Sequence, residues 1–128
     1  MKTVGEVMTR GLLELAQETS LADAAAAMTE RRVGSALVVE GGRLIGIVTE
    51  RDVLRAVAGG EVGGRVGDWM TRHPETVDAD ESTEQAAVVM IHGGFRHLPV
   101  LEEGTPCGIV SIRDLMRVVL EDVSPRGV

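Results

Sequence analysis

Aromatic residues are nearly missing from these 128 residues: one Trp, one Phe and no Tyr, 2% in all. A surface that stacks successive nucleic-acid bases on aromatic rings is therefore excluded. Basic charge is scarce too. Thirteen Lys and Arg stand against twenty Asp and Glu, a formal net charge of −7, whereas a nucleic-acid or anionic-membrane surface needs a basic stripe. An anion can be held here only by a local cluster. The single cysteine, Cys107, cannot close a disulfide within the chain, which fits a reducing compartment and an expected cytoplasmic location. No apolar run approaches the length of a membrane span, and Glu6 and Arg10 interrupt the apolar N-terminus, so neither an anchor nor a secretion signal is expected.

Chemistry-bearing patterns are also few. His73, His92 and His97 lack the cysteine or paired-histidine spacing of a zinc site, so no metal is expected. There is no nucleophile with an evident base and orienter, no P-loop and no dinucleotide glycine fingerprint. Catalytic residues and a catalytic cofactor are therefore not expected, and the chain reads as a non-enzyme.

What the chain does have is a repeat. Gly46-Ile47-Val48-Thr49-Glu50-Arg51-Asp52 returns as Gly108-Ile109-Val110-Ser111-Ile112-Arg113-Asp114. The same shift of 62 carries Val4-Gly5 onto Val66-Gly67, Met8-Thr9-Arg10 onto Met70-Thr71-Arg72, Ala24-Ala25 onto Ala86-Ala87, and Arg55 onto Arg117. Two ungapped copies fill the chain, at residues 1–62 and 63–123, with a frayed tail at 124–128. Each copy is half an ordinary domain, so the two must share a core, built from the Val, Leu, Ile, Ala and Met of a 44% hydrophobic composition.

Local patterns predict an α/β (α+β) fold. In the first copy, residues 3–8 form a short amphipathic turn and 12–16 a brief strand. Ser20 caps a helix whose core face is Leu21, Ala24, Ala25 and Met28. Residues 35–40 and 43–48 read as a hairpin around Gly41-Gly42, after which Thr49 caps a helix to about Ala58 with Val53, Leu54 and Val57 as its apolar positions. Gly59, Gly60, Gly63 and Gly64 mark the link. The order then repeats: a turn at 66–71, a strand at 76–77, a helix at 82–92 with Thr83, Ala86, Ala87 and Met90 inward, strands at 98–101 and 107–110, and a helix capped by Ser111. The second copy's helices add Val88, Val89, Ile91, Met116, Val118 and Leu120, so they are apolar around more of their circumference. Such helices need two partners, which predicts a homodimer closed through them and the matching first-copy helices.

The doubled Gly-Ile-Val-(Thr/Ser)-x-Arg-Asp, the doubled Val-Gly-x-x-Met-Thr and the run Arg96-His97-Leu98-Pro99-Val100 resemble a tandem pair of CBS domains, the regulatory units named after cystathionine β-synthase. The resemblance implies two β-α-β-β-α units packed through their sheets about a pseudo-two-fold axis, with two clefts that commonly take adenosine-containing ligands: AMP, ADP, ATP, S-adenosylmethionine or NAD. It also implies dimers.

On that resemblance Asp52 and Asp114 are the first candidate ligand residues, because one carboxylate can accept from both hydroxyls of a ribose. Thr49 and Ser111 add a hydroxyl at a helix start, where phosphate is favoured. The same Thr-x-x-Asp and Ser-x-x-Asp are also close to a capping box that merely starts a helix. Arg96 and His97 match the family's phosphate-reaching positions, and their first-copy counterparts are Gly34 and Ser35, so the two clefts should differ. Arg113, like Arg51, could turn to a phosphate or form a surface ion pair. Arg72 and His73 are weaker candidates. Ala36, Thr76, Val77, Leu98 and Pro99, with Leu13 and Glu14 in the first copy, stand where the family holds adenine. Met8, Met28, Met70 and Met90 read as core fillers, Cys107 as a small buried hydrophobe and Trp69 as a plug at the core edge. The expectation is a regulatory module that binds an adenine nucleotide and signals to a separate, unidentified protein, without nucleic acid or membrane. A ligand-free dimerisation or scaffold module, or an NAD or S-adenosylmethionine sensor, is the alternative.

Overall fold

Two serines start a matched pair of helices in the repeat. Ser20 accepts the N–H of Asp23 at 3.0 Å to begin α2 (Leu21–Arg31), and Ser82 accepts that of Gln85 at 3.0 Å to begin α5 (Thr83–Gly93). A computed structural model describes residues 2–122; the expected tail at 124–128 lies outside the described residues.

The chain forms two compact units: a central one, Leu12–Pro74, and a flanking one, built from the residues up to Gly11 together with those from Glu75 onward. The central unit runs β1 (Glu14–Leu15), α2, β2 (Ser35–Glu40), β3 (Arg43–Thr49) and α3 (Glu50–Ala58), then α4 (Val66–Trp69) and β4 (Thr71–Arg72). Its sheet has the order β1-β2-β3-β4, with β1 parallel to β2 and the other pairs antiparallel. The flanking unit begins with α1 (Val4–Val7) and continues with β5 (Val77–Asp78), α5, β6 (His97–Glu102), β7 (Thr105–Ser111) and α6 (Ile112–Asp122). Its sheet is β5-β6-β7, and a bridge between Thr9 and Ile109 stands where the central unit has β4. The expected mixed α/β fold of two β-α-β-β-α units is therefore present. Strands β1 and β5 are shorter or shifted by a residue, and β4 was not expected.

Each unit buries its own core, so the two copies meet in two cores and not in the single shared one that their size suggested. Alternation in β2 and β3 turns Ala36, Val38 and Val48 toward Leu21, Ala24 and Met28 of α2 and Ala56 of α3. In the flanking unit Leu98, Val100 and Val110 meet Ala86 and Met90 of α5 and Leu115 of α6. Leu37, Ile47, Pro99 and Ile109 alternate onto the other faces of the two sheets and are also buried. Both hairpins carry an irregularity at the same place, Val38/Val39 and Val100/Leu101. Of the four matched methionines, Met28, Met70 and Met90 are buried, and Met8 packs against the flanking core with Cys107.

The compact units are cut differently from the sequence copies at 1–62 and 63–123, because the lead-ins are exchanged. Val4 and Gly5, first in the chain, donate their N–H groups to Glu81 and Ala79 of the second copy, both at 2.8 Å. Val66 and Gly67 donate in the same way to Thr19 and Gln17 of the first copy, again at 2.8 Å. A capping box tightens α1: the Thr3 N–H and hydroxyl donate to Glu6 Oε1 at 2.8 and 3.1 Å, and these hydrogen bonds hold the Glu6 carboxyl below the usual carboxylate range.

Each lead-in then crosses a glycine of the long strand. A Cβ on Gly46 would stand 2.6 Å from Met70 Sδ and 2.9 Å from the Thr71 carbonyl oxygen. A Cβ on Gly108 would meet Met8 Sδ, with the Thr9 carbonyl oxygen at 3.0 Å. The methionine can move, but the carbonyl belongs to the pairing of the lead-in with the strand. Gly46→Ala and Gly108→Ala are each expected to cost about 1–3 kcal/mol by overpacking, measured by urea unfolding. An unchanged midpoint would show that the lead-in does not press on these glycines.

Candidate functional site

The end of each long strand runs directly into a helix, and there the repeated motif builds the same arrangement twice. In the central unit the Thr49 N–H donates to Asp52 Oδ2 at 2.9 Å and the Thr49 hydroxyl lies 3.2 Å from the same oxygen, while the Asp52 N–H returns to Thr49 Oγ1 at 3.4 Å. In the flanking unit the corresponding distances for Ser111 and Asp114 are 2.8, 3.0 and 3.1 Å. Both carboxylates are buried, 6% and 4% exposed. Reciprocal capping therefore exists at both junctions. It uses one carboxylate oxygen and leaves the other, Oδ1, to a different partner.

That partner is an arginine three residues on. Arg55 Nη1 reaches Asp52 Oδ1 at 3.3 Å, and Arg117 Nη1 reaches Asp114 Oδ1 at 3.0 Å. Both guanidinium side chains are about 60% exposed (61% and 62%), so each pair is a surface contact over a buried acid. The sequence singled out Arg51 and Arg113, next to the acids, but both are exposed at the helix start. Arg55 and Arg117 were visible only as a matched pair of the repeat. Their spacing of three from each aspartate was the signal that could have found them.

The flanking unit gathers several predicted residues at one end of its hairpin. His97 lies opposite Ser111 in the register of β6 and β7, and the Arg96 carbonyl accepts the N–H of Ile112 at 2.9 Å. Arg96, His97, Ser111, Arg113 and Asp114 thus share one corner, with the Arg96 side chain exposed and His97 half-buried. The central counterpart is built alike, since Ser35 faces Thr49 and the Gly34 carbonyl accepts Glu50 N–H at 3.0 Å. It has no cation at those two positions, and Ser35 is buried.

The predicted adenine contacts divide. The side chains of Ala36, Val77 and Leu98 belong to the two cores, so these residues can offer a ligand only backbone. Leu13 is likewise core, and Glu14 is exposed on β1. Pro99 is buried on the other face of its sheet, and Thr76, just before β5, is half-buried. Arg72 Nη2 donates to the Gly67 carbonyl at 3.2 Å, and exposed His73 adopts a left-handed conformation with φ 48° where the other copy has Gly11. Trp69 packs at the edge of the central core, as expected. Burial, followed by the charge of Glu102, raises the Cys107 pKa against the opposing pull of Arg10, so its thiol stays protonated at neutral pH. Among the described residues, no group of three His, Cys, Asp or Glu could hold a metal, and no helix is long and apolar enough to cross a membrane.

Two units of helix-capped hairpins, each ending in an Asp held by its own strand terminus, define a tandem-repeat module. The sequence model of the CBS domain matches residues 4–59 and 66–121, and the chain belongs to that family. A 17.7 kDa protein of Acidianus ambivalens is 35% identical over 92% of this chain and 73% of its own length. The CBS domain-containing protein YhcV of Bacillus subtilis is 32% identical over 90% of this chain and 84% of its own. Some relatives are longer: this chain spans 63% of the mitochondrial CBSX3 of Arabidopsis thaliana, at 33% identity. Among solved structures, a protein with CBS domains from Burkholderia ambifaria superposes with a TM-score of 0.89 at 32% identity, covering 96% of this chain and 97% of that one. CBSX2 in complex with AMP superposes at 0.80 with 29% identity, covering 97% and 100%.

Proposed function

We propose that this chain is a regulatory, non-catalytic module that binds an adenine nucleotide of the AMP, ADP or ATP type and signals to a separate protein. The observation that carries the reading is the duplicated junction. A buried carboxylate is fixed on one oxygen by its own strand terminus and presents the other toward an exposed, displaceable arginine. The AMP complex of the similar CBSX2 supports the choice of ligand.

In this reading the vicinal hydroxyls of the ribose take over Oδ1 of Asp114 or Asp52 as the arginine swings away. The helix starts at Ser111 and Thr49 favour the phosphates electrostatically. Arg96, His97 and Arg113 supply cationic or hydrogen-bonding groups in the flanking unit, so a phosphorylated ligand suits that corner better than S-adenosylmethionine does. In the flanking unit Thr76 and Pro99 flank the adenine, with backbone from Val77 and Leu98; Ala36 offers backbone at the matching place of the central unit. Regulation further requires that the ligand bind one conformation better than another.

Thermal unfolding with AMP, ADP, ATP, NAD and S-adenosylmethionine tests this. A ligand at one hundred times its Kd stabilises by about 2.7 kcal/mol, so at least one adenine nucleotide is expected to raise the Tm of the wild type. Asp114→Ala alone costs about 1 kcal/mol through the lost cap, so its response is read as the shift on adding ligand, which is expected to shrink or vanish. A panel that leaves the wild type unmoved contradicts nucleotide binding.

A second observation favours self-association as part of the same function. On the neighbouring helices α5 and α6, Ile91 is 73% exposed and Leu120 64%, with Val88, Met116 and Val119 also open. Val89 and Val118, expected on this face, are instead half-buried. We read this stripe as the face of a homodimer. Sedimentation is expected to give a dimer for the wild type and a monomer for the Ile91→Glu, Met116→Glu variant; a monomeric wild type contradicts the reading.

A further inference from the structure

Two parts of the aspartate junction are the same in both copies, and a third is not. Asp52 and Asp114 share the capping geometry and the arginine on Oδ1. Among the described residues, only the central arginine of the two has a second attachment: the Arg55 guanidinium carbon lies 5.7 Å from the centroid of the Trp69 ring, a cation–π contact. The residue matching Trp69 in the repeat is Val7, on α1. Arg55 therefore bridges a carboxylate and an indole, whereas the residue at the indole's place in the other copy is aliphatic. The ion pair is shorter at Asp114, 3.0 Å against 3.3 Å at Asp52, so its length gives Arg55 no tighter hold, and the ring is the feature that does.

The position of that bridge matters for a diol. Oδ2 of each aspartate already accepts from a backbone N–H and a hydroxyl, so Oδ1 is the oxygen through which a ribose must enter, and the arginine sits on it. Ribose and arginine compete for the same acceptor. An arginine held only by an exposed ion pair yields easily, and one also resting on an indole yields less easily. We infer that Trp69 latches Arg55 across Asp52 and so ranks the two junctions, with the ribose of an adenine nucleotide engaging Asp114 first. The inference rests on the nucleotide reading above and makes Trp69 and Arg55 positioning residues that set affinity. The strength of an exposed cation–π contact corresponds to a factor of about two to five in affinity.

An NMR titration with AMP reads the two junctions separately, because the Thr49 and Ser111 amides each donate to one of the two carboxylates. In the wild type the Ser111 amide is expected to reach its midpoint at lower AMP than the Thr49 amide. Trp69→Val, the residue of the other copy, is expected to lower the Thr49 midpoint about two- to fivefold and leave the Ser111 midpoint in place. Arg55→Ala, at an exposed side chain, keeps the test alive should Trp69→Val unfold the central unit. It is expected to lower the Thr49 midpoint by more than Arg117→Ala lowers that of Ser111. Adding Trp69→Val to Arg55→Ala is expected to change nothing further, which a merely structural role for the ring would not predict. Thr49 midpoints that stay put or rise in Arg55→Ala overturn this inference alone. Amides that respond to AMP in no variant contradict the nucleotide reading and this inference with it.

Discussion

Everything at the two junctions depends on one hydrogen bond, from the backbone N–H of the last strand residue to the carboxylate three positions on. It is 2.9 Å long at Thr49 and 2.8 Å at Ser111. This bond starts the helix, fixes the aspartate rotamer and buries the acid without leaving it unpaired. It also decides which oxygen remains for anything else. Capping and ligand binding are therefore not rival explanations of the motif. A carboxylate has about four lone-pair sites, and capping occupies only those of Oδ2. In the proposed reading the cap orients an acceptor that a flexible side chain would otherwise have to freeze on binding, and preorganisation of that kind is worth affinity.

The second constraint is the exchange of lead-ins. A repeat of half-size units could have folded each copy onto itself, but Gly5 hydrogen-bonds Ala79 and Gly67 hydrogen-bonds Gln17. The lead-in that precedes a copy in sequence thus completes the other copy's hairpin, through Thr9 on Ile109 and Thr71 on Ile47. Gly46 and Gly108 are the price of that closeness, since a lead-in carbonyl stands where a side chain would begin. Each copy depends on the other for a strand edge and a helical turn. A 128-residue chain of two small cores gains from such mutual dependence, because neither half buries much surface alone.

The junctions and both helical core faces were legible in the sequence because they appear twice at one spacing, and a doubled pattern is hard to produce by chance. Strand β4 was not legible: Thr71 and Arg72 have no alternation of their own and are strand only because β3 lies beside them. Nor could a repeat reveal which copy a lead-in docks on, since both choices satisfy the same pattern. Apolar character also misled in α3, where Leu54 and Val57 face outward and Asp52 and Ala56 face inward; the cap sets the helix phase there, ahead of hydropathy. Ala36, Val77 and Leu98 show the converse, candidate ligand walls whose side chains the cores already use. Arg55 and Arg117 escaped notice because an exposed arginine gains meaning only once the carboxylate rotamer is known.

The most direct test of the central claim is the crystal structure of this chain with AMP. The account predicts both ribose hydroxyls within hydrogen-bonding distance of the Asp114 carboxylate, Arg117 displaced from Oδ1, and the Ser111 cap on Oδ2 intact. AMP bound elsewhere, with the Asp114–Arg117 pair unchanged, would contradict it.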